Sequence, residues 1–311
     1  MAPGGGYLRV STAGGEGDGA AQWFNSLGVS AFVLLYRVAP YHYPAETDDG
    51  QRAIRLVRSR AAEFGVDPKR IGMLGFSAGG HLTAATSTIF DAGQPDASDP
   101  IDRVSSRPDF AMLMYAVISF NPEVAGPNNL TAYASSGRNL LGDTPDPALI
   151  AKMSLEAQVT SATPPTFLYN GTADTLVSPE NSFRFYLALR KAGVPTEVHT
   201  FENGVHATGL SLGDPIKGTL PDLLKTWLRS RGVVSVRSPR RARLRTTAEG
   251  SEGPRMRVLR IRPPSSAHRA SDPQGLRPQP DQTRILMPLV SPGCSIRTVR
   301  RASGMLLEET Q

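Results

Sequence analysis

The stretch Arg70–His81, "RIGMLGFSAGGH", decides the fold. Arg70 to Phe76 is a short apolar run of strand length, and "GFSAGGH" follows where a strand should hand over to a helix. A Gly-x-Ser-x-Gly pattern fixes only three positions and often arises by chance, so its placement carries the information. In a nucleophile elbow the serine occupies a strained turn, and small residues two before and two after it keep strand and helix from colliding. Gly75 and Gly79 hold those places and Gly80 adds a further small residue, so Ser77 is expected above the carboxyl end of a sheet.

Outward from this turn, residues 17–232 alternate apolar runs with amphipathic helices, the pattern of a parallel sheet covered on both faces. The expected strands are Ala31–Arg37, Arg70–Phe76, Phe110–Val117, Thr166–Tyr169 and Glu197–Phe201. Ile54, Val57, Ala61 and Phe64 recur at helical spacing, with Arg52, Arg55 and Arg58 mostly on the other faces. A second helix is expected from about Pro179 to Ala192 with Phe183, Tyr186 and Leu187 inward, stopped by Gly193 and Pro195. A third spans about Pro221 to Arg231, with Leu224, Trp227 and Leu228 on one face.

The 311 residues carry a net charge of +6, unevenly spread. Residues 1–231 hold 19 Lys and Arg against 22 Asp and Glu, a net of −3, whereas residues 232–311 hold 15 against 6, a net of +9. That last quarter is lysine-free and rich in Arg, Pro and Ser, with no sustained period. The expected organisation is therefore a catalytic domain over residues 1–232, with a cap-like insert at about 121–159, and a disordered tail over 233–311. The tail has no recognised nucleic-acid-binding fold or aromatic platform, so phosphate binding by its arginines is the minor reading. Cys294 stands alone, which rules out an intrachain disulfide, and no apolar run reaches the 18 residues that a membrane-spanning helix needs.

A serine hydroxyl needs a base, and the base needs an orienting carboxylate. Of five histidines, His81 lies on the helix after Ser77 and suits packing, His199 falls in a strand, His42 in an aromatic loop and His268 in the tail. His206, in "ENGVHATG" beyond the last strand, is at the carboxyl edge where the base belongs. Asp174, in "GTADTLV" after the strand ending near Tyr169, reaches the same edge. The order Ser77, Asp174, His206 is that of α/β-hydrolases and of neither common serine-protease arrangement. The tetrahedral oxyanion needs two donors, expected from the Ala78 N–H and from Gly5 or Gly6 in "PGGGY".

The segments "APGGGY", "WFNSLGVSAFVLLYRVAP", "AIRLVRSRAAEFGVDPKRIGMLGFSAGGHL" and "PPTFLYNGTADTLVSPENSFRFYLALRKAGVPTEVHTFENGVHATGL" together resemble the bacterial α/β-hydrolases that act as acetyl xylan, feruloyl or related carbohydrate esterases. "YRVAPYHYPAE" is similar to the hormone-sensitive-lipase group. The resemblance covers residues 2–231 and implies a metal-independent, cofactor-free serine esterase acting on a small or polysaccharide ester, with Ser77, Asp174 and His206 as triad and Gly5, Gly6 and Ala78 around the oxyanion. Prolyl-oligopeptidase-like peptidases share the order of the three residues and are the rival reading. Where related proteins carry a histidine and a glutamate after the GGGY loop, "TAGGEGD" keeps only Glu16, a departure expected to touch a minor loop contact. The family also has three strands ahead of that loop, which this chain lacks. A slot is therefore expected in mid-sheet, with a weak or inactive esterase as the consequence, and a misassigned start and a frame slip after Gly232 are the expected gene-level causes.

Overall fold

A computed structural model describes residues 1–121, 133–235, 256–260 and 306–308. The chain runs α1 (Asp18–Ser26), β1 (Ala31–Leu35), α2 (Ala45–Ser59), α3 (Ala61–Phe64), β2 (Gly72–Phe76), α4 (Ser77–Thr88) and β3 (Phe110–Met114). It continues with α5 (Arg138–Leu141), α6 (Pro147–Lys152), β4 (Thr166–Gly171), α7 (Glu180–Lys191), β5 (Thr196–Phe201), α8 (Leu220–Ser230), β6 (Met256–Arg260) and β7 (Leu306–Glu308).

Four strands form a parallel sheet in the order β2-β3-β4-β5, with Gly72 opposite Phe110, Ala111 opposite Thr166 and Thr166 opposite Thr196. Alternation along the strands divides the core between the two faces. Leu74, Phe76, Met112, Met114, Phe167 and Tyr169 point to the side covered by α1 and α8, while Met73, Leu113 and Leu168 point to the side covered by α2, α4 and α7. Helix α8 meets its face through Leu220, Leu224, Trp227 and Leu228, spaced at four, three and one as an amphipathic helix requires. Helix α2 buries Ile54 and Val57, and its arginines reach outward, Arg52 to Asp99 and Asp102 and Arg58 to Asp109, fastening the segment that leads into β3.

Helix α7 turns a different face inward from the one that its apolar spacing predicts. Phe183 and Leu187 are 40 % and 63 % exposed, and Asn181, Ser182, Phe185 and Leu189 are buried. The inward face is fixed by Asn181, whose side-chain oxygen accepts from the Ile118 and Ser119 N–H groups (3.0 Å each) at the end of the sheet. Phe185 and Leu189 are buried in the core beside that contact, with Tyr186 partly buried against it, so one orientation satisfies both donors and covers two large apolar side chains.

Strand β1 stands apart from this sheet and pairs in parallel with β6, which pairs antiparallel with β7. At Met256–Arg260 extended chain runs along the open edge of β1, which supplies it with a backbone partner, and Leu306–Glu308 adds to it in turn. The rest of the expected disordered tail beyond residue 235 lies outside the described residues, as do residues 122–132 of the expected cap.

Met1 and Ala2 bridge the two sheets. The Met1 amine donates to the Phe32 carbonyl (2.7 Å) and the Leu34 N–H to the Met1 carbonyl (2.9 Å). On the other side the Ala2 N–H donates to the Leu74 carbonyl (2.7 Å) and the Phe76 N–H to the Ala2 carbonyl (3.1 Å). β1 and β2 therefore lie two strand spacings apart, and below Met1 the interval is an apolar cleft of about 120 Å³ lined by Ala31, Phe32 and Leu34 on one side and Ile71, Met73 and Leu74 on the other. This is the slot anticipated in mid-sheet.

One buried acid bears on stability. Glu46, in the first turn of α2, is 0 % exposed, and neither carboxylate oxygen has a hydrogen-bond partner among the described residues beyond its own backbone amide. Burial pushes its carboxyl up to about 7 from an ordinary value of 4.5. Between those values the folded chain holds a proton that the unfolded chain has released, so stability falls as pH rises, by about 3 kcal/mol in all. Glu46→Gln is expected to raise the urea midpoint at pH 8 by the equivalent of about 1–3 kcal/mol and to change it little at pH 4.5. Equal shifts at both pH values would rule out the buried charge as the cause.

Candidate active site

The elbow follows from close packing. Ser77 adopts a left-handed backbone (φ 52°), and α4 begins at that residue. A Cβ on Gly75 would stand 2.1 Å from the Gly79 carbonyl oxygen, and one on Gly79 would stand 2.1 Å from the Ala2 carbonyl oxygen. Both positions therefore exclude any side chain, because backbone atoms cannot withdraw as a flexible side chain can.

The carboxyl ends of β2, β4 and β5 bring three distant side chains together. His206 Nε2 lies 2.8 Å from Ser77 Oγ, and His206 Nδ1 lies 2.7 Å from Asp174 Oδ2. Asp174 is buried in the turn after β4, and its other oxygen accepts from the Leu176 and Val177 N–H groups (2.9 Å each). A carboxylate can only accept, so the His206 proton sits on Nδ1 and leaves Nε2 to accept from the Ser77 hydroxyl. A hydroxyl held in this way can pass its proton to the imidazole as it attacks a carbonyl carbon.

Gly5 and Gly6 line the same pocket of about 430 Å³ as Ser77 and His206, together with Arg9, Glu16, Ser136 and Leu176. Gly5, Gly6 and Tyr7 all have positive φ (134°, 65° and 57°), so the loop is tightly curled. Its shape is held from behind. The Tyr7 hydroxyl donates to His81 Nδ1 (2.9 Å), His81 Nε2–H donates to the Met153 carbonyl (2.9 Å), and Asn139 donates to the Gly6 carbonyl (2.7 Å). Burial lowers the His81 pKa to about 4, so it stays neutral and structural, as its helical position suggests. Ala78, buried on the first turn of α4, belongs to the group of residues whose N–H groups have no carbonyl one turn earlier in the helix.

Sequence reasoning missed Tyr115 altogether and underrated Glu16. Tyr115 directly follows β3 with φ 39°, and its ring packs edge-on against His206 with centroids 5.0 Å apart. The lone acid in a glycine run, "GGEGDG", was the available signal for Glu16, and nothing local marks Tyr115.

Residues 3–189 match the BD-FAE family. The chain belongs to that family. Among its similar proteins, the acetylxylan esterase of Xylanibacter ruminicola is 32 % identical over 232 residues, covering 73 % of this chain and 44 % of the relative. Endo-1,4-beta-xylanase B of Butyrivibrio fibrisolvens is 34 % identical over 209 residues, covering 66 % of this chain and 31 % of that one. The BD-FAE chain thus spans less than half the length of these two curated relatives. The solved structure of the acetyl ester-xyloside bifunctional hydrolase from Caldicellulosiruptor lactoaceticus is 44 % identical and superposes with a TM-score of 0.70, over 75 % of this chain and 82 % of that one. The fold of this BD-FAE member is accordingly that of the α/β-hydrolases, with its sheet divided at the cleft. No helix among the described residues is long and apolar enough to cross a membrane.

Proposed function

We propose that this BD-FAE protein is a serine carboxylic-ester hydrolase that deacylates carbohydrate or other small esters, with residues 1–232 as the catalytic unit. The observation that carries the reading is the unbroken hydrogen-bonded series Asp174–His206–Ser77 opening onto the pocket beside Gly5 and Gly6. Ser77 Oγ attacks the ester carbonyl carbon while its proton moves to His206 Nε2. The tetrahedral oxyanion accepts hydrogen bonds from the Ala78 N–H and from the N–H of Gly5 or Gly6. Collapse breaks the ester C–O bond, and His206 returns the proton to the departing alcohol. Water then repeats the sequence on the acyl-enzyme, releasing the acid and restoring Ser77.

The likeness to an acetylxylan esterase and to an acetyl ester-xyloside hydrolase favours an acetylated sugar as substrate, and a rim carrying Arg9, Ser11 and Ser136 suits a hydroxyl-rich alcohol better than an alkyl one. The test combines labelling and turnover. A fluorophosphonate should modify Ser77 alone, located by mass spectrometry, and the same protein should release acetate from 4-nitrophenyl acetate and from acetylated xylan, against the weak or inactive esterase expected from the sequence, because the hydrogen bonds of Ala2 to β2 anchor the glycine loop. Cleavage of a prolyl anilide in preference to these esters would replace the esterase reading by a peptidase one.

A further inference from the structure

The short loop that carries Glu16 lies where three separate parts of the site meet. Glu16 is buried, and its two oxygens serve different partners: Oε2 accepts from the Gly4 N–H (2.8 Å) and Oε1 from the Tyr115 hydroxyl (2.7 Å). The Tyr115 oxygen in turn accepts from the Gly209 N–H (2.8 Å), three residues after His206, and the Tyr115 ring lies against the His206 ring. Gly15 and Gly209 touch through their backbones, since a Cβ on Gly209 would stand 2.8 Å from the Gly15 carbonyl. One buried carboxylate therefore joins the glycine loop, the end of β3 and the histidine loop. Burial first, and then the Glu16 carboxylate, push the Tyr115 phenol well above its ordinary range, so it keeps the proton that it donates to Glu16.

We propose that Glu16 and Tyr115 are positioning residues of this site, a two-member brace that sets the glycine loop and His206 at a fixed distance on either side of Ser77. The proposal rests on the assignment of Ser77 and His206 given above. Its physical basis is that Gly4 packs against Ser77, a Cβ on it falling 3.0 Å from the Ser77 Cβ, and directly precedes Gly5 and Gly6, which line the pocket together with His206. A carboxylate bonded to Gly4 and, through the Tyr115 hydroxyl, to Gly209 removes the freedom that the curled loop and the histidine turn would otherwise have. Neither residue touches the reacting bond, so the brace acts on the rate of the chemical step and leaves substrate affinity nearly unchanged.

The full chain is assayed with 4-nitrophenyl acetate as wild type, E16Q, Y115F and the double variant, with S77A as a separate control. In E16Q one acceptor becomes a donor, and in Y115F the Gly209 N–H and one Glu16 oxygen lose their partner. Each single change is expected to lower kcat about tenfold to a hundredfold with KM within about threefold of wild type. The double variant is expected within about twofold of the worse single one, because both break the same brace. A single variant within about threefold of wild-type kcat, losses lying in KM, or losses that multiply in the double variant would each overturn the proposal. Y115F removes one oxygen atom and keeps the ring, so it decides the matter by its kcat and KM if E16Q fails to melt cooperatively. Activity surviving in S77A would defeat the assignment of the nucleophile and the brace with it, whereas an inactive S77A beside unaffected E16Q and Y115F defeats the brace alone.

Discussion

Ser77→Ala is expected to lower turnover of 4-nitrophenyl acetate by about 10,000-fold or more and to abolish fluorophosphonate labelling, because among the described residues no other hydroxyl occupies the place beside His206 Nε2. The pocket retains its shape in this variant, so KM for any residual turnover should stay near the wild-type value. Asp174→Asn should come close to the same loss by a different route. Its carboxylate holds the His206 proton on Nδ1, and an amide nitrogen facing that atom would favour the tautomer that cannot accept from Ser77. Stopped-flow release of nitrophenolate separates the steps. Wild type should show a burst as the acyl-enzyme forms, and neither variant should. A burst of undiminished amplitude in S77A would mean that acylation takes place elsewhere.

The second large effect concerns folding. Gly79→Val should cost about 4 kcal/mol or more, since its Cβ would fall 2.1 Å from the Ala2 carbonyl and 2.4 Å from that of Pro3. The Cβ meets backbone carbonyls, so relief means pushing the glycine loop away from α4 and breaking the hydrogen bonds by which Ala2 joins β2. Gly65→Ala provides the contrast. Gly65 is left-handed (φ 64°, ψ 32°) with nothing within 4 Å of a Cβ, so the change meets only the penalty of a left-handed backbone, about 1–2 kcal/mol. Urea unfolding of the two variants beside wild type measures the difference. Comparable losses would show that contact with the Ala2–Pro3 backbone contributes little to the stability of the elbow.

Much of this molecule was legible along the chain because its cues are local. The strand–turn–helix around Ser77 is marked by glycines whose necessity arises within a few residues and from the adjoining strand. The helices α2 and α8 disclose their inward faces by spacing alone. Asp174 and His206 were found by asking which titratable residues follow a strand at the carboxyl edge, a question that strand patterns can answer. Helix α7 defeated the same method. Phe183 and Leu187 stay exposed while Phe185 and Leu189 turn inward, the orientation in which Asn181 reaches two backbone amides beyond β3, and hydrophobic periodicity carries no information about such a demand.

The sequence by itself determined the parallel sheet, the elbow at Ser77 and the order of Ser77, Asp174 and His206, because each depends on neighbours a few residues away or on the regular alternation of strand and helix. Tertiary structure alone decided how the two sheets part at the cleft, which partner β1 takes, and the joining of Glu16 to Gly4, Tyr115 and the histidine loop. Glu16 and Tyr115 are 99 positions apart, and Tyr115 and Gly209 are 94 apart. Such contacts depend on where chain segments finish in space, and no propensity or period within a segment can register them.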